Sequence, residues 1–187
     1  MALKYSTMLE LQSNLIEFDL FNTISGENFS TDYLEETKPS LIMFICNHCP
    51  YVIHYHQQIQ KLEKDFKEKL NLVAISSNDI VNYPQDGPEK MRLLWEELGL
   101  GFPYLYDETQ DIAKKYKAEC TPEFYLFNED RKLVYRGRFD ETSPSSGKDP
   151  DGKDLRDAMY CLIEGEKISS EQYPSMGCNI KWKQDLQ

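Results

Sequence analysis

Two continuous apolar runs, separated by a helical pattern, set the strongest limit on how this chain can fold. Residues 41–46 read LIMFIC, and residues 71–77 read NLVAISS. Continuous runs of this length predict strands that are buried on both faces of a sheet. Between them, apolar residues recur at steps of three and four, at Val52, Tyr55, Ile59, Leu62, Phe66 and Leu70. That spacing predicts an amphipathic helix, and the whole segment is therefore a strand–helix–strand unit.

The rest of the chain continues this alternation of strands and helices. The patterns predict a strand at 15–21, a short helix capped by Ser30 or Thr31, a helix around 91–98, an extended piece at 102–107, a short helix within 108–118, two strands around a turn at 128–132, and a helix through 155–163. This order predicts an α/β fold with a mixed central sheet and helices on both faces.

We divide the chain into an N-terminal extension (1–14), one domain (15–166) and a C-terminal tail (167–187). The length suits a single domain with a sizeable core. The tail has no regular periodicity, and we expect it to be irregular. Ile180 and Trp182 are apolar enough to dock it on the domain.

Charge and composition exclude several classes of protein. The 187 residues include 32 acidic and 21 basic side chains, which gives a formal net charge of −11. That balance argues against nucleic acid and anionic membrane surfaces as partners, because both attract basic residues. No apolar run approaches the ~20 residues that cross a bilayer, and the first residues lack the apolar block of a signal peptide. We therefore expect a cytoplasmic protein, where five cysteines favour redox or metal chemistry over structural disulfides.

The corner between the first buried strand and the helix reads Cys46-Asn47-His48-Cys49-Pro50. A helix N-terminus presents free N–H groups and a partial positive charge, which stabilise a thiolate. Two cysteines at this spacing can interconvert between dithiol and disulfide with little backbone movement. We predict Cys46 as the exposed nucleophile and Cys49, one turn further into the helix, as the resolving thiol. Asn47 and His48 are predicted to tune the pKa of Cys46.

Two other interpretations of the corner are open. The cysteines could be ordinary buried thiols at the end of a strand, or His54 and His56 could join them in a metal site. Zinc needs four ligands at workable distances, and residues two apart on a helix diverge by about 200°. We therefore expect no metal here, and the exchange chemistry needs no other bound cofactor.

Several stretches together resemble a known family: FICNHCPYV, VAISSND, FPYLYDETQ, CTPEFYLFNEDRKLVYRGRFD and GCNIKWK. They resemble the thioredoxin-like redoxins, whose members are often described as alkyl hydroperoxide reductase/thiol-specific antioxidant-related or as thioredoxin family proteins. The resemblance covers about residues 15–183. It implies a thioredoxin-like fold, Cys46 and Cys49 as the redox pair, and a cis Thr121-Pro122 loop facing that pair. Thr121, Pro122 and Pro50 would then shape a groove where an extended substrate pairs along a strand edge.

The resemblance implies a thiol–disulfide oxidoreductase. Its partners would be a disulfide-containing protein or a small thiol, with an electron-donating dithiol. The alternative is a thiol peroxidase, in which Cys46 attacks a hydroperoxide, passes through a sulfenic acid, and is resolved by Cys49 or Cys178. Typical peroxiredoxins carry Pro-x-x-x-Thr-x-x-Cys. Neither Cys46 nor Cys49 has that threonine, which weighs against the alternative.

Three more residues are candidates for the site. Thioredoxins carry a buried acid six residues before the first cysteine, where this chain has Ser40, and Glu123 beside Pro122 could substitute for it. Cys120 could lie near the redox pair, or could be a small buried core residue. Cys178, in the tail, is a candidate for an extra resolving thiol if the tail docks near the corner.

Overall fold

The computed structural model describes residues 2–184. Met1 and residues 185–187, at the ends of the predicted extension and tail, lie outside the described residues. The strands are β1 (Leu3–Tyr5), β2 (Asp19–Asn22), β3 (Asn28–Ser30), β4 (Ser40–Phe44), β5 (Asn71–Ser76), β6 (Tyr104–Tyr106), β7 (Cys120–Thr121), β8 (Glu123–Phe127), β9 (Leu133–Gly137) and β10 (Met176–Asn179). The α-helices are α1 (Pro50–Phe66), α2 (Pro88–Leu98), α3 (Asp111–Tyr116) and α4 (Lys153–Ile163). Short 3-10 helices occur at Thr31–Tyr33 and Pro84–Asp86.

Seven strands form the central sheet, in the order β3-β2-β6-β5-β4-β8-β9. The two predicted buried strands lie side by side and parallel, with Ile42 opposite Val73, and β8 runs antiparallel to β4. Every residue of β4 is buried, as its continuous apolar run predicts. The mixed α/β sheet of the sequence prediction is confirmed.

Helices cover both faces of this sheet. On one face, α1, α2 and α4 contribute Leu62, Trp95 and Leu155 to the larger apolar core. On the other face, α3 contributes Tyr116 to a second core. None of the helices in residues 2–184 is long and apolar enough to span a membrane. The corner lies at the C-terminal end of β4, where the chain passes from the sheet into α1.

The first predicted strand, 15–21, is wrong at its start. Leu15 and Phe18 are buried in the second core, but β2 begins only at Asp19. The backbone N–H of Leu15 donates to the carbonyl of Arg131 at 2.8 Å, outside the β2 ladder. The apolar residues at 15–18 therefore reflect burial in the core rather than strand pairing.

The two ends of the chain form a second, three-stranded sheet in the order β1-β10-β7. In it, β10 lies between the extension and the strand before Pro122, with Leu3 on one side of Cys178 and Thr121 on the other. The prediction of an irregular tail is therefore wrong at Met176–Asn179. Strands of three or four residues are too short to show an alternation of apolar and polar residues. The partners of β10 are also more than 50 residues away in sequence, so no local pattern indicates the pairing.

The tail docks on the domain, but only one of the two predicted anchors is correct. Ile180 is buried, whereas Trp182 keeps 37% of its surface exposed. The backbone N–H groups of Lys181 and Lys183 donate to side-chain oxygens of Asn78 and Gln110, each at 2.8 Å. These polar contacts hold the last described residues and leave the indole between them at the surface.

Candidate active site

Both cysteines of the corner are buried, at 1% exposure for Cys46 and 0% for Cys49. Cys49 is the N-cap of α1, and Pro50 is the first helical residue. Proline lacks an N–H and favours this position, so it fixes the start of the helix directly after Cys49. The predictions of an exposed Cys46 and of Cys49 inside the helix are therefore wrong. All five cysteines are free thiols.

The Thr121-Pro122 peptide is cis, and this loop lies against the cysteine pair, as the resemblance implied. The Thr121 hydroxyl is 3.3 Å from the Cys46 sulfur. The Thr121 carbonyl is 3.1 Å from the Cys49 sulfur and accepts its proton when Cys49 is a thiol. One residue therefore contacts both sulfurs and closes over them.

The two cysteines differ in pKa, because the Cys46 thiol donates a hydrogen bond to the Cys49 sulfur. Hydrogen bonds from Cys46 first, and then from Cys178 and Thr121, outweigh burial and lower the pKa of Cys49 to about 5. The pKa of Cys46 is raised, because its thiol donates to Cys49, because it is buried, and because the Asp86 carboxylate is near. These two pKa directions favour Cys49, the sulfur at the helix N-terminus, as the thiolate of the pair. The thiolate that the sequence predicts at Cys46 stays a prediction.

The strand β10 occupies the hydrogen-bonding side of β7, directly before Pro122. Cys178 pairs with Thr121, and Asn179 pairs with Cys120, in an antiparallel ladder. A side chain at Gly177 would place its Cβ 2.0 Å from the Thr121 oxygen, so only glycine permits this approach. The chain's own tail thus pairs with the strand edge at Thr121, where the resemblance implied that an extended substrate would pair.

Comparison with known proteins gives the family. The family model for redoxins matches residues 17–153, which is more than half of the chain. The chain belongs to the redoxin family.

Two solved structures match this redoxin over nearly its whole length. An uncharacterized conserved protein from Geobacillus kaustophilus is 43% identical, covers 100% of this chain and 99% of its own, and has a TM-score of 0.96. A hypothetical protein from Sinorhizobium meliloti 1021 is 37% identical, covers 96% of this chain and 98% of its own, and has a TM-score of 0.92. A secreted disulfide oxidoreductase from Mycobacterium tuberculosis is 16% identical over 78% of this chain and 96% of its own, with a TM-score of 0.59, which is a likeness of fold alone. No curated protein matches the chain.

Asp86 is the residue of this redoxin site that sequence reasoning missed. Its buried carboxylate accepts from the backbone N–H groups of Asn47 (2.9 Å) and His48 (3.3 Å), and from the side chain of Asn78 (2.8 Å). It also lies 2.6 Å from the His48 Nδ1. An aspartate between prolines and a glycine is typical of an exposed turn, so the local sequence carried no signal of burial.

The hydrogen bonds of the two residues between the cysteines hold the loop and do not reach a sulfur. The Asn47 amide donates to the Gln85 carbonyl at 3.0 Å and accepts from the Tyr104 hydroxyl at 3.1 Å. The His48 ring stacks on Tyr83 with centroids 5.4 Å apart. Their predicted tuning of Cys46 stays a prediction. The charge that the structure brings near Cys46 is that of Asp86.

Glu123 and Cys120 form a separate buried cluster. One Glu123 oxygen accepts from the Tyr125 hydroxyl at 2.6 Å, and the other accepts from the backbone N–H of Glu119 at 3.0 Å. Burial raises the pKa of Glu123 to about 7. The Cys120 thiol lies 3.8 Å from this carboxyl, and burial raises its pKa too. The structure thus brings Glu123 to Cys120, and the hydrogen bonds of the described residues do not link Glu123 to Cys46 or Cys49. Its substitution for the buried acid of thioredoxins stays a prediction.

Within residues 2–184, one group of side chains has donor atoms close enough to suit a metal ion. Cys46, His48 and Asp86 each place one donor atom within 4.8 Å of the others. His54 is not in this group, and its imidazole Nε2 lies 2.8 Å from the Thr142 hydroxyl. The candidate metal set is therefore not the one that the spacing of the histidines suggested.

A cleft lies next to the cis-proline, and neither Cys46 nor Cys49 is among the residues that line it. Pro122, Tyr5, Tyr55 and Met176 are among the residues that line its volume of about 280 Å³. Pro50 is exposed at the start of α1. The assignment of Pro50 and Pro122 to a substrate groove stays a prediction, and this cleft is the open space next to Pro122.

Proposed function

We propose that this redoxin is a thiol–disulfide oxidoreductase whose Cys46 and Cys49 alternate between dithiol and disulfide. The observation that carries the proposal is the pair itself. Two free thiols lie at a helix N-terminus and face a cis-proline loop, and each sulfur contacts Thr121 of that loop. The family and the fold neighbours support an oxidoreductase of this kind.

The low pKa of Cys49 makes its thiolate the sulfur that starts the exchange. It attacks a substrate disulfide, forms a mixed disulfide and releases one substrate thiolate. Cys46 then loses its proton and attacks the Cys49 sulfur, which releases the second substrate thiol and leaves a Cys46–Cys49 disulfide. A partner dithiol returns the pair to the reduced form. We assign the substrate to a protein or small-molecule disulfide, and the reaction to the cytoplasm.

Equilibration in glutathione buffers, followed by alkylation and peptide mass analysis, tests this proposal. We expect a Cys46–Cys49 disulfide with a reduction potential above the roughly −270 mV of thioredoxin, because a stabilised thiolate favours the reduced form. C46S and C49S should each abolish turnover of a protein disulfide, whereas C161S should not. Absence of a Cys46–Cys49 disulfide at every glutathione ratio contradicts the proposal.

The second candidate function is a thiol peroxidase, and the N-cap position of Cys49 favours it. Its thiolate would attack a hydroperoxide to give a sulfenic acid and an alcohol, and Cys46 would condense with the sulfenic acid and release water. Small hydroperoxides need less space to reach a buried sulfur than an extended peptide does. Peroxide consumption with a dithiol supply, compared with reduction of a protein disulfide, separates the two activities.

A further inference from the structure

The structure brings a third cysteine to the redox pair. Residues opposite each other in an antiparallel ladder project their side chains to the same face. Cys178 lies opposite Thr121, whose hydroxyl is 3.3 Å from the Cys46 sulfur. The Cys178 side chain therefore emerges toward the pair. It is 5% exposed and lies in the same apolar core as Cys46 and Cys49.

The neighbour of Cys178 is Cys49 rather than Cys46. Cys49 contacts the carbonyl of Thr121, on the backbone that pairs with β10, whereas Cys46 contacts the Thr121 side chain. Hydrogen bonds from the thiol and the backbone N–H of Cys178 reach Cys49 and help to lower its pKa. Burial, followed by the contact with Cys49, raises the pKa of Cys178 to about 12, so Cys178 is a thiol beside a thiolate.

The other two cysteines do not share this arrangement. Cys120 is on the same short strand as Thr121, but its sulfur lies 3.8 Å from Glu123 and 3.9 Å from the Ser175 carbonyl. Neighbouring residues of a strand face opposite sides, which directs Cys120 away from the pair. Cys161 lies on α4, at intermediate exposure. These two residues are therefore natural controls.

We propose that Cys178 is a third redox-active thiol, which can replace Cys46 as the disulfide partner of Cys49. The inference rests on the proposed dithiol–disulfide cycle of Cys46 and Cys49. In the oxidised protein, the Cys178 sulfur attacks the Cys49 sulfur, a Cys49–Cys178 disulfide forms, and the Cys46–Cys49 bond breaks. The proton of Cys178 passes to the departing Cys46 sulfur, so no external oxidant or reductant is consumed.

This exchange has a structural consequence. A Cys49–Cys178 disulfide ties β10 to the start of α1 and keeps it on β7, while Cys46 regains a free thiol. The tail then acts as an internal substrate, paired where the resemblance implied that an extended substrate pairs. A partner dithiol would release β10 and complete the cycle.

C46S tests the inference, because it removes the competing thiol and keeps a hydroxyl beside Thr121. Glutathione disulfide supplies the oxidant. The Cys49 thiolate takes up one glutathione and releases the other, and Cys178 then displaces the bound one. Trypsin separates Cys178 from Cys49, since Lys61 and Lys167 lie between them, so the linkage is visible as a crosslinked peptide pair. We expect this pair in most chains, with two free thiols lost per chain.

C46S/C161S should form the same linkage, and C46S/C178S should stop at a glutathione adduct on Cys49. An adduct on Cys49 with Cys178 still free in C46S overturns the inference. If the wild type still forms Cys46–Cys49 in that case, the proposed function stands; if it does not, both proposals fail. Should C46S not fold, the oxidised wild type decides the question. A Cys49–Cys178 peptide pair supports the exchange, and its absence beside Cys46–Cys49 overturns it.

Discussion

Replacing Gly177 with alanine tests whether β10 closes the site. The new Cβ would lie 2.0 Å from the Thr121 oxygen and 2.7 Å from the Thr121 carbonyl carbon, whereas ordinary contacts begin near 3.4 Å. Both atoms belong to the backbone, so β10 itself must move. Overpacking of this kind costs about 1–3 kcal/mol. For a chain of this size, each kcal/mol lowers Tm by about 2–4 °C, which gives a fall of roughly 2–12 °C.

The clash raises the free energy only of the state in which β10 is docked on β7. The free energy needed to undock β10 therefore falls by the same amount. If alkylation of Cys49 proceeds through that opening, its rate rises by about 5-fold to roughly 150-fold. Iodoacetamide labelling followed by peptide mass analysis measures the rate, with Cys161 as the internal standard. Gly101→Ala is the matched control, because its Cβ would meet only the Glu63 carboxylate, at 3.4 Å. A lower Tm with an unchanged ratio of Cys49 to Cys161 labelling would refute the argument that β10 guards the thiols.

Three further predictions concern charge. In the reduced protein, thiolate absorbance near 240 nm should titrate with a midpoint of about 5 and disappear in C49S, because the fold lowers the pKa of Cys49. In a C49S background, Asp86→Asn should speed alkylation of Cys46 at fixed pH, since the Asp86 charge opposes ionisation of Cys46. Folding raises the pKa of Glu123 from 4.5 to about 7, so its contribution to stability is full below pH 4.5 and is lost as pH rises through 7. That loss is about 3 kcal/mol, and Glu123→Gln should remove this part of the slope in urea unfolding between pH 5 and pH 8.

The central sheet and its helices follow from local sequence patterns. β4, α1 and β5 were predictable because a continuous apolar run and a three-to-four periodicity are visible within a single element. The cis Thr121-Pro122 loop and its position facing the cysteines came from the family resemblance, and the structure bears out both. The spacing of Cys46 and Cys49, read with the strand-to-helix context, located the corner correctly.

What the sequence did not reveal depends on contacts between distant residues. The β1-β10-β7 sheet joins residues from both ends of the chain to residue 121, and its strands are too short to show a period. Cys178 of that sheet lies in the same apolar core as Cys46 and Cys49, a contact that the local sequence does not show, so an exposed nucleophile was the natural expectation. Asp86 was missed for a similar reason. The backbone N–H groups that donate to it, those of Asn47 and His48, lie 38 or more residues earlier in the chain. The sequence of its own turn is typical of an exposed turn.

For the dithiol–disulfide cycle proposed above, the burial of the thiols and the pairing of β10 with Thr121 make the tail the element that must open. A dithiol with 0–1% exposure cannot meet a protein disulfide unless its cover moves. The cover is a four-residue strand near the chain end, paired with a three-residue strand from the other end and a two-residue strand at the site. Such short ladders open at low free-energy cost compared with the seven-stranded sheet beneath them. Opening of β10 would therefore change access to Cys46 and Cys49 without unpairing any strand of the seven-stranded sheet.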